Sequence, residues 1–227
     1  MTSSRDAFLQ RVREAVAAGN RPGSAAPFAE RGVTGYQGAG TGPVAGFCDN
    51  FKAAGGHAQT VSSPAAAANA ILKLVQGRGA RRALLGEGAV LEELSLAERL
   101  KSASIEIDRV AQIDPESCRE ACFRADVGIS GVDWLIAETG TIVIRAAVRE
   151  PRSLSLLPPV HVAVATRSQI VADLFDLFDA LSSRSHSKGM PSCVTLITGP
   201  SKTGDIELQL VTGVHGPGEV YVVLIDC

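Results

Sequence analysis

The stretch Val194–Glu207, Val-Thr-Leu-Ile-Thr-Gly-Pro-Ser-Lys-Thr-Gly-Asp-Ile-Glu, most narrows what this chain can fold into. A short apolar run stops in a loop of Gly, Pro, Ser, Lys and Thr. The loop then hands over to Asp205, an acidic, helix-like start. Strand, Gly-containing loop and helix start in that order belong to an open α/β sheet. In such sheets ligands bind in the crevice beyond the carboxyl ends of the strands. The segment therefore predicts a fold class and the place of a site, and names no reaction.

The rest of the chain alternates in the same way. Residues 5–18 read as an amphipathic helix, with Phe8, Val12 and Val16 at helical spacing, Ser3 or Ser4 at its start and Gly19 at its end. Residues 19–42 are rich in Gly, Pro, Ala and Ser and have almost no periodic pattern, so they read as a loop or linker. Residues 1–42 thus form an N-terminal helix and linker, and residues 43–227 form the globular body.

In the body, Phe47 and Phe51 suit one face of a helix ending at Gly55-Gly56. A strand over His57–Val61, a helix from Pro64 through Val75, a strand over Arg82–Gly86 and a helix over 90–101 follow. Ser104–Asp108 suits the next strand, and Asp114-Pro115-Glu116 starts a helix. Val132–Ala137 and Ile142–Arg145 read as two strands joined through the Gly140 turn. Val160–Thr166, Val194–Thr198 and Val220–Ile225 supply further strands. Residues 168–181 show the clearest helical pattern, with Ile170, Leu174, Leu177, Phe178 and Leu181 on one face and Asp173, Asp176 and Asp179 opposite. Strands alternating with helices make an α/β layer fold, and the Gly140 hairpin makes its sheet mixed, mostly parallel.

Composition removes several function classes. The chain has 227 residues, enough to bury a real core without a disulfide or metal staple. Its formal net charge is -2 with aromatics at 4%, which is not the basic, stacking surface of a nucleic-acid binder. No apolar run approaches the roughly 20 residues that span a bilayer. The N-terminus has no continuous apolar stretch of the signal-peptide kind, so the expected location is cytoplasmic. Five irregularly spaced cysteines fit reduced thiols. No Cys-x-x-Cys run announces an iron–sulfur cluster, and Cys118 and Cys122 read as small buried hydrophobes.

Three short segments carry candidate chemistry. Backbone N–H groups in the loop Gly199-Pro200-Ser201-Lys202-Thr203-Gly204-Asp205 can form a concave anion site, with Lys202 adding charge and Ser201 and Thr203 adding donors. It is no Walker A loop, because no Gly-Lys-Ser or Gly-Lys-Thr closes it. In Glu138-Thr139-Gly140-Thr141 a carboxylate at a strand end can serve as base or nucleophile. The plainer reading is a hairpin turn with Gly140 at positive φ. His215, within Gly213-Val214-His215-Gly216-Pro217-Gly218, is an acid–base candidate among turn residues. His161 begins a strand, and the sequence leaves open which region it faces. The aspartates of 173–179 mimic a metal site, but their spacing is that of a solvated helix face.

Taken together, Ala137–Thr141, Leu156-Leu157-Pro158-Pro159-Val160-His161, and Thr198–Glu207 continuing to Gly213–Pro217 resemble the LUD-domain family, in its lactate-utilisation protein C branch. The resemblance is strongest from about Asp126 onward, weaker from Phe47 and loose before that. It implies a three-layer α/β/α sandwich similar to CoA-transferases, ribose-phosphate isomerases and glucosamine-phosphate deaminases. It also implies a part in oxidising L-lactate to pyruvate, as one of three proteins that act together. Two partner proteins would hold the iron–sulfur clusters, leaving no cofactor and no metal in this chain. No catalytic residue comes with the resemblance.

Three functions follow as expectations. The chain is a subunit that binds a small carboxylate or nucleotide-like ligand at the Thr139, Gly140, Thr141, Gly199, Ser201, Lys202, Thr203 and Asp205 loops. Alternatively it is a stand-alone enzyme resembling CoA-transferases or sugar-phosphate isomerases, using Glu138 and His215. Or it is a non-catalytic assembly subunit whose loops are structural.

Overall fold

The computed structural model describes residues 4–19, 42–147, 151–188, 191–206 and 209–227; the side chains at 115, 184–188, 205, 206 and 209 lie outside the description. The chain divides into two compact units, Met1–Tyr36 and Gln37–Cys227. In the first, helix α1 (Ser4–Gly19) buries no residue, and Phe8, Val12 and Val16 stay exposed along one stripe. The loop expected over residues 19–42 falls, but for its end residues, outside the described residues.

The second unit opens with α2 (Pro43–Ala53), which starts on its proline and buries Phe47 and Phe51 completely. Their rings stack at 5.6 Å, and each side chain contributes roughly 1.5–3 kcal/mol by leaving water. Then come β1 (His57–Val61), α3 (Pro64–Gly77) and β2 (Arg82–Leu85). The Ser63 hydroxyl caps α3 by accepting from Ala66 N at 3.2 Å. The helix expected over 90–101 is two, α4 (Ala89–Glu93) and α5 (Leu96–Ser102), because Ser95 between them takes a left-handed φ of 48°. After β3 (Glu106–Arg109), α6 (Pro115–Arg124) is capped by Asp114 Oδ1, which accepts from Glu116 N at 3.0 Å.

Next follow β4 (Val127–Gly131), β5 (Trp134–Ile136), β6 (Thr141–Arg145), α7 (Ser153–Leu156), β7 (Val160–Thr166) and β8 (Ile170–Val171). The continuous strand expected over Val132–Ala137 is interrupted. Asp133 turns aside to pair with Arg145, whose backbone N and Nε both reach its carboxylate at 2.8 Å. The chain ends with α8 (Leu174–Lys188), β9 (Val194–Ile197), β10 (Lys202–Ile206), β11 (Gln209–Thr212) and β12 (Glu219–Ile225).

The helix expected from 168 begins only at Leu174, and Asp173 is fully buried instead of solvated. Asp173 Oδ1 accepts from Asp176 N at 2.9 Å, and Asp176 Oδ2 accepts from Ala172 N at 3.2 Å, so these aspartates hold the helix entrance. Phe178, placed on the apolar face by spacing, is 61% exposed.

Among the described residues six parallel strands form one sheet in the order β1-β12-β7-β4-β2-β3. A separate four-stranded sheet, β8-β5-β6-β9, holds the antiparallel pairs, and β10-β11 form a hairpin. Mixed pairing therefore sits in the second sheet, while the larger sheet is parallel throughout. Its central strands, such as Val162-Ala163-Val164-Ala165, are buried on both faces and so carry no alternation.

One face packs Leu85, Ile129, Val162 and Val223 under α3, α4 and α5. The other packs Ala163, Val222 and Leu224 against α2 and the small sheet, with α6 and α7 over Leu84. The sheet thus lies between helical layers, and α2 fills the space between the two sheets. Leu177 and Leu181 of α8 cover the far side of the small sheet at Trp134, Ile136 and Val143.

Candidate functional site

Asp205 begins no helix. Residues 202–206 are β10, paired with β11, because β-branched Thr203, Ile206, Val211 and Thr212 prefer the pleated ladder. The anion site expected from a helix start after Gly199 therefore has no helix behind it. Backbone Asp205 lies in β10, and its side chain is outside the description.

The candidate loops nonetheless gather in one region. Glu138–Gly140 joins β5 to β6, and β6 pairs with β9, so the turn lies beside Thr198. Thr139 Oγ1 and Thr141 Oγ1 are 2.6 Å apart, and Thr141 Oγ1 is 2.8 Å from Thr198 Oγ1, a chain of three hydroxyls across the two loops. The end of α2 is the common wall. Asn50 Nδ2 donates to the carbonyls of Ala137 and Glu138, both at 2.9 Å. Gly140, at φ 62°, presses onto the backbone of Asn50 and Phe51, where an added Cβ would overlap them. Gly199, at φ 82°, lies so close to Ala54 that a Cβ would sit 2.6 Å from its carbonyl oxygen. Lys202 Nζ donates to the same oxygen at 2.5 Å, placing a cation at the negative end of the α2 dipole.

The His215 loop joins through Ser201. Ser201 N donates to Pro217 O at 2.9 Å, and Gly213 N donates to Ser201 O at 3.0 Å. His215 is exposed, Glu138 is half-buried, and Glu138 N donates to Ala172 O at 3.0 Å. Thr203 lies half-buried in β10, and Thr139 and Lys202 are exposed.

These loops stand at the amino ends of the parallel strands. Ala54–Gly56 precede β1, Gly218 precedes β12, and Gly218 N donates to Pro159 O just before β7. The carboxyl-end placement expected from Val194–Thr198 holds only for β9, which belongs to the small mixed sheet. Strand membership is a long-range pairing, so the local pattern carried no information on it.

Two participants had no signal in the pattern. Asn50 reads as one more polar residue on a helix. Ser130, on a strand that spacing did not separate, bonds His161. His161 Nε2 lies 2.9 Å from Ser130 Oγ, and both residues are buried in the parallel sheet. Burial lowers the His161 pKa to about 4, so the ring is neutral near pH 7. His161 Nδ1 is buried without a partner. Cys122 is buried and Cys118 half-buried on α6, and burial pushes the Cys122 thiol up. Among the described residues no group of three or more His, Cys, Asp or Glu is placed to hold a metal ion. No described helix is long and apolar enough to cross a membrane.

Comparison with known proteins agrees with the architecture. The LUD domain matches residues 44–225. An uncharacterized protein of Escherichia coli strain K12, YkgG, is 35% identical over 172 residues, covering 74% of this chain and 73% of that protein. Lactate utilization protein C of Halalkalibacterium halodurans is 30% identical over 158 residues, covering 69% of this chain and 68% of its own. In three dimensions the chain is similar to a DUF162 family protein from Deinococcus radiodurans, with a TM-score of 0.58 over 81% of this chain and 96% of that one. At 24% identity that likeness is one of fold. The span of the domain match and the relatives that cover two thirds of the chain lead to one conclusion: this protein belongs to the LUD-domain family.

Proposed function

We propose that this protein is a component of lactate utilisation, acting with two iron–sulfur proteins that carry electrons from L-lactate as it becomes pyruvate. The observation that carries the reading is the relative named lactate utilization protein C, 30% identical across 69% of this chain. Oxidising lactate to pyruvate releases two electrons and two protons, and such chemistry draws on a redox cofactor. The chain has no cysteine run of the cluster-binding type, so the partners supply that part.

Its own contribution is the loop cluster at the α2 end. Lys202 spends one of its three donors on Ala54 O and is exposed, leaving two for a carboxylate. The Thr139 hydroxyl, at the exposed end of the hydroxyl chain, is a further donor, and His215 stands in the adjoining loop.

Loss of the gene is expected to abolish growth on L-lactate but not on pyruvate. The purified protein should co-purify with the two iron–sulfur proteins and bind lactate or pyruvate in their presence. Normal growth of the deletion strain on L-lactate would defeat the proposal.

A second reading, an assembly subunit with structural loops, is favoured by one observation. The Thr139–Thr141–Thr198 hydroxyls satisfy one another, and Lys202 already closes α2. Lys202→Met separates the two readings. It removes ligand binding under the first, and under the second it lowers only stability and complex formation.

A further inference from the structure

The parallel sheet has two edge strands, β1 and β3, and they are finished differently. An edge strand carries N–H and C=O groups that no neighbour takes up, and proteins blunt such edges with charge, proline, bulges or a cover. β3 is blunted by charge. Three of its four residues are Glu106, Asp108 and Arg109, with Glu106 paired to Arg82 and Arg109 to Glu98. β1 has neither charge, proline nor bulge. His57-Ala58-Gln59-Thr60-Val61 contains no Asp, Glu, Lys, Arg or Pro, and it pairs in unbroken register with β12 alone. No cover hides it, since His57, Gln59 and Thr60 are exposed. In a parallel pair alternate residues bond the neighbouring strand, so the other residues of β1 direct their backbone groups away from β12.

The two sides of this edge differ in chemistry. On the α3 side, Gln59 lines a groove of about 390 Å³ with Lys73 and Arg78, over the small Ala70 and Gly77. No carboxylate lines it. Lys73 is exposed and has no ion-pair partner among the described residues. Arg78 is bound to Glu219 and Tyr221, and the Tyr221 ring stacks on His57 at 4.5 Å, which fixes that end of the groove. With Glu219 set against Arg78, Lys73 keeps the groove positive. On the α2 side, Ala58 packs in the core cluster that holds Val44 and Cys48, and Thr60 Oγ1 lies 3.7 Å from Cys48 Sγ. That side is apolar.

These features select an occupant. A strand added beside β1 gains main-chain hydrogen bonds, and its side chains alternate between the two sides. One set meets positive charge and the other meets apolar surface. A second copy of this chain, pairing antiparallel through its own β1, would set its positive groove beside this one, and like charges across an interface suppress such pairing. We infer that β1 is the docking edge for an extended segment of another protein, acidic on the side facing α3 and apolar on the side facing α2. Lys73 pairs with the acidic side chains. This surface is separate from the Lys202 cluster and stands whether or not the lactate reading does.

The test is fluorescence anisotropy of the full-length protein with a labelled peptide, Thr-Val-Glu-Val-Glu-Val-Thr, followed by hydrogen exchange on the complex. The peptide is expected to saturate and to slow amide exchange at residues 57–61. A peptide with Lys in place of both Glu should bind at least about tenfold more weakly, because it sets like charges together. Lys73→Glu should reverse that order and leave circular dichroism unchanged, since Lys73 is exposed and unpaired. N-methylation of alternate peptide amides removes main-chain donors and should abolish binding. No saturation at millimolar concentration, equal binding of the two peptides, or an order unchanged in Lys73→Glu would overturn the inference. Retained binding of the N-methylated peptide, or protection at another strand instead of β1, would do the same. So would a dimer of the protein alone with β1 already protected, which would make a second copy the occupant.

Discussion

Asn50 ties the C-terminal half of α2 to the Glu138 turn, its side-chain amide donating to the Ala137 and Glu138 carbonyls at 2.9 Å each. One side chain thus sets the distance between a helix and a hairpin 87 residues away in the chain. Asn50→Ala leaves the buried Ala137 carbonyl short of a partner and should cost about 1–3 kcal/mol. Urea denaturation checks this; a loss below about 0.5 kcal/mol would mean that the turn is held by other contacts.

Gly140 has two reasons to be glycine, a φ of 62° and backbone pressing against it from Asn50 and Phe51. Gly140→Ala is expected to destabilise by about 2–4 kcal/mol, combining left-handed strain with overpacking. Gly204, where an added Cβ would meet nothing within 4 Å, is the internal control. Gly204→Ala should shift stability by no more than about 0.5 kcal/mol, and thermal melts of the two variants side by side distinguish them.

Stability should depend on pH through His161. Its pKa is 6.5 when unfolded and about 4 when folded, because burial opposes its charged form. Between those values the unfolded chain binds a proton that the folded chain does not, so stability rises with pH across that window. The contribution is complete above about pH 6.5 and is lost as pH falls toward 4, amounting to about 3 kcal/mol in all. His161→Gln should remove this part of the slope in urea denaturation at a series of pH values. An unaltered slope would place the titration elsewhere.

Asp173 is buried at the entrance to α8 and accepts from Asp176 N. Asp173→Ala should cost about 0.5–2 kcal/mol, the range for removing a helix cap. Asp179→Ala, farther along the same helix, should cost less than about 0.5 kcal/mol. Equal effects would show that the two aspartates do the same work.

Legibility in the sequence followed the range of the forces. The helix starts at Pro64 and Asp114 are legible because a cap bonds a backbone N–H only two or three residues ahead. The β5–β6 hairpin was readable because Gly140 marks a tight turn between apolar runs. Asp173 is not legible as a cap, because helical spacing alone puts it opposite Leu177 while its position before the helix buries it. Residues 202–206 form a strand where local pattern predicts a helix start, because the strand depends on pairing with β11.

The sequence by itself determined the alternation of strands and helices, the α/β class, the family, and the three motifs around Glu138, Gly199 and His215. These rest on periodicity, turn chemistry and residue order, all of which act over a few residues. Only the tertiary structure decided that the motif loops meet at the amino ends of the parallel strands, around Asn50 and Ala54. Strand order sets that meeting place, and strand order comes from pairing between segments such as β4 and β7 or β1 and β12, whose separation along the chain leaves no local trace.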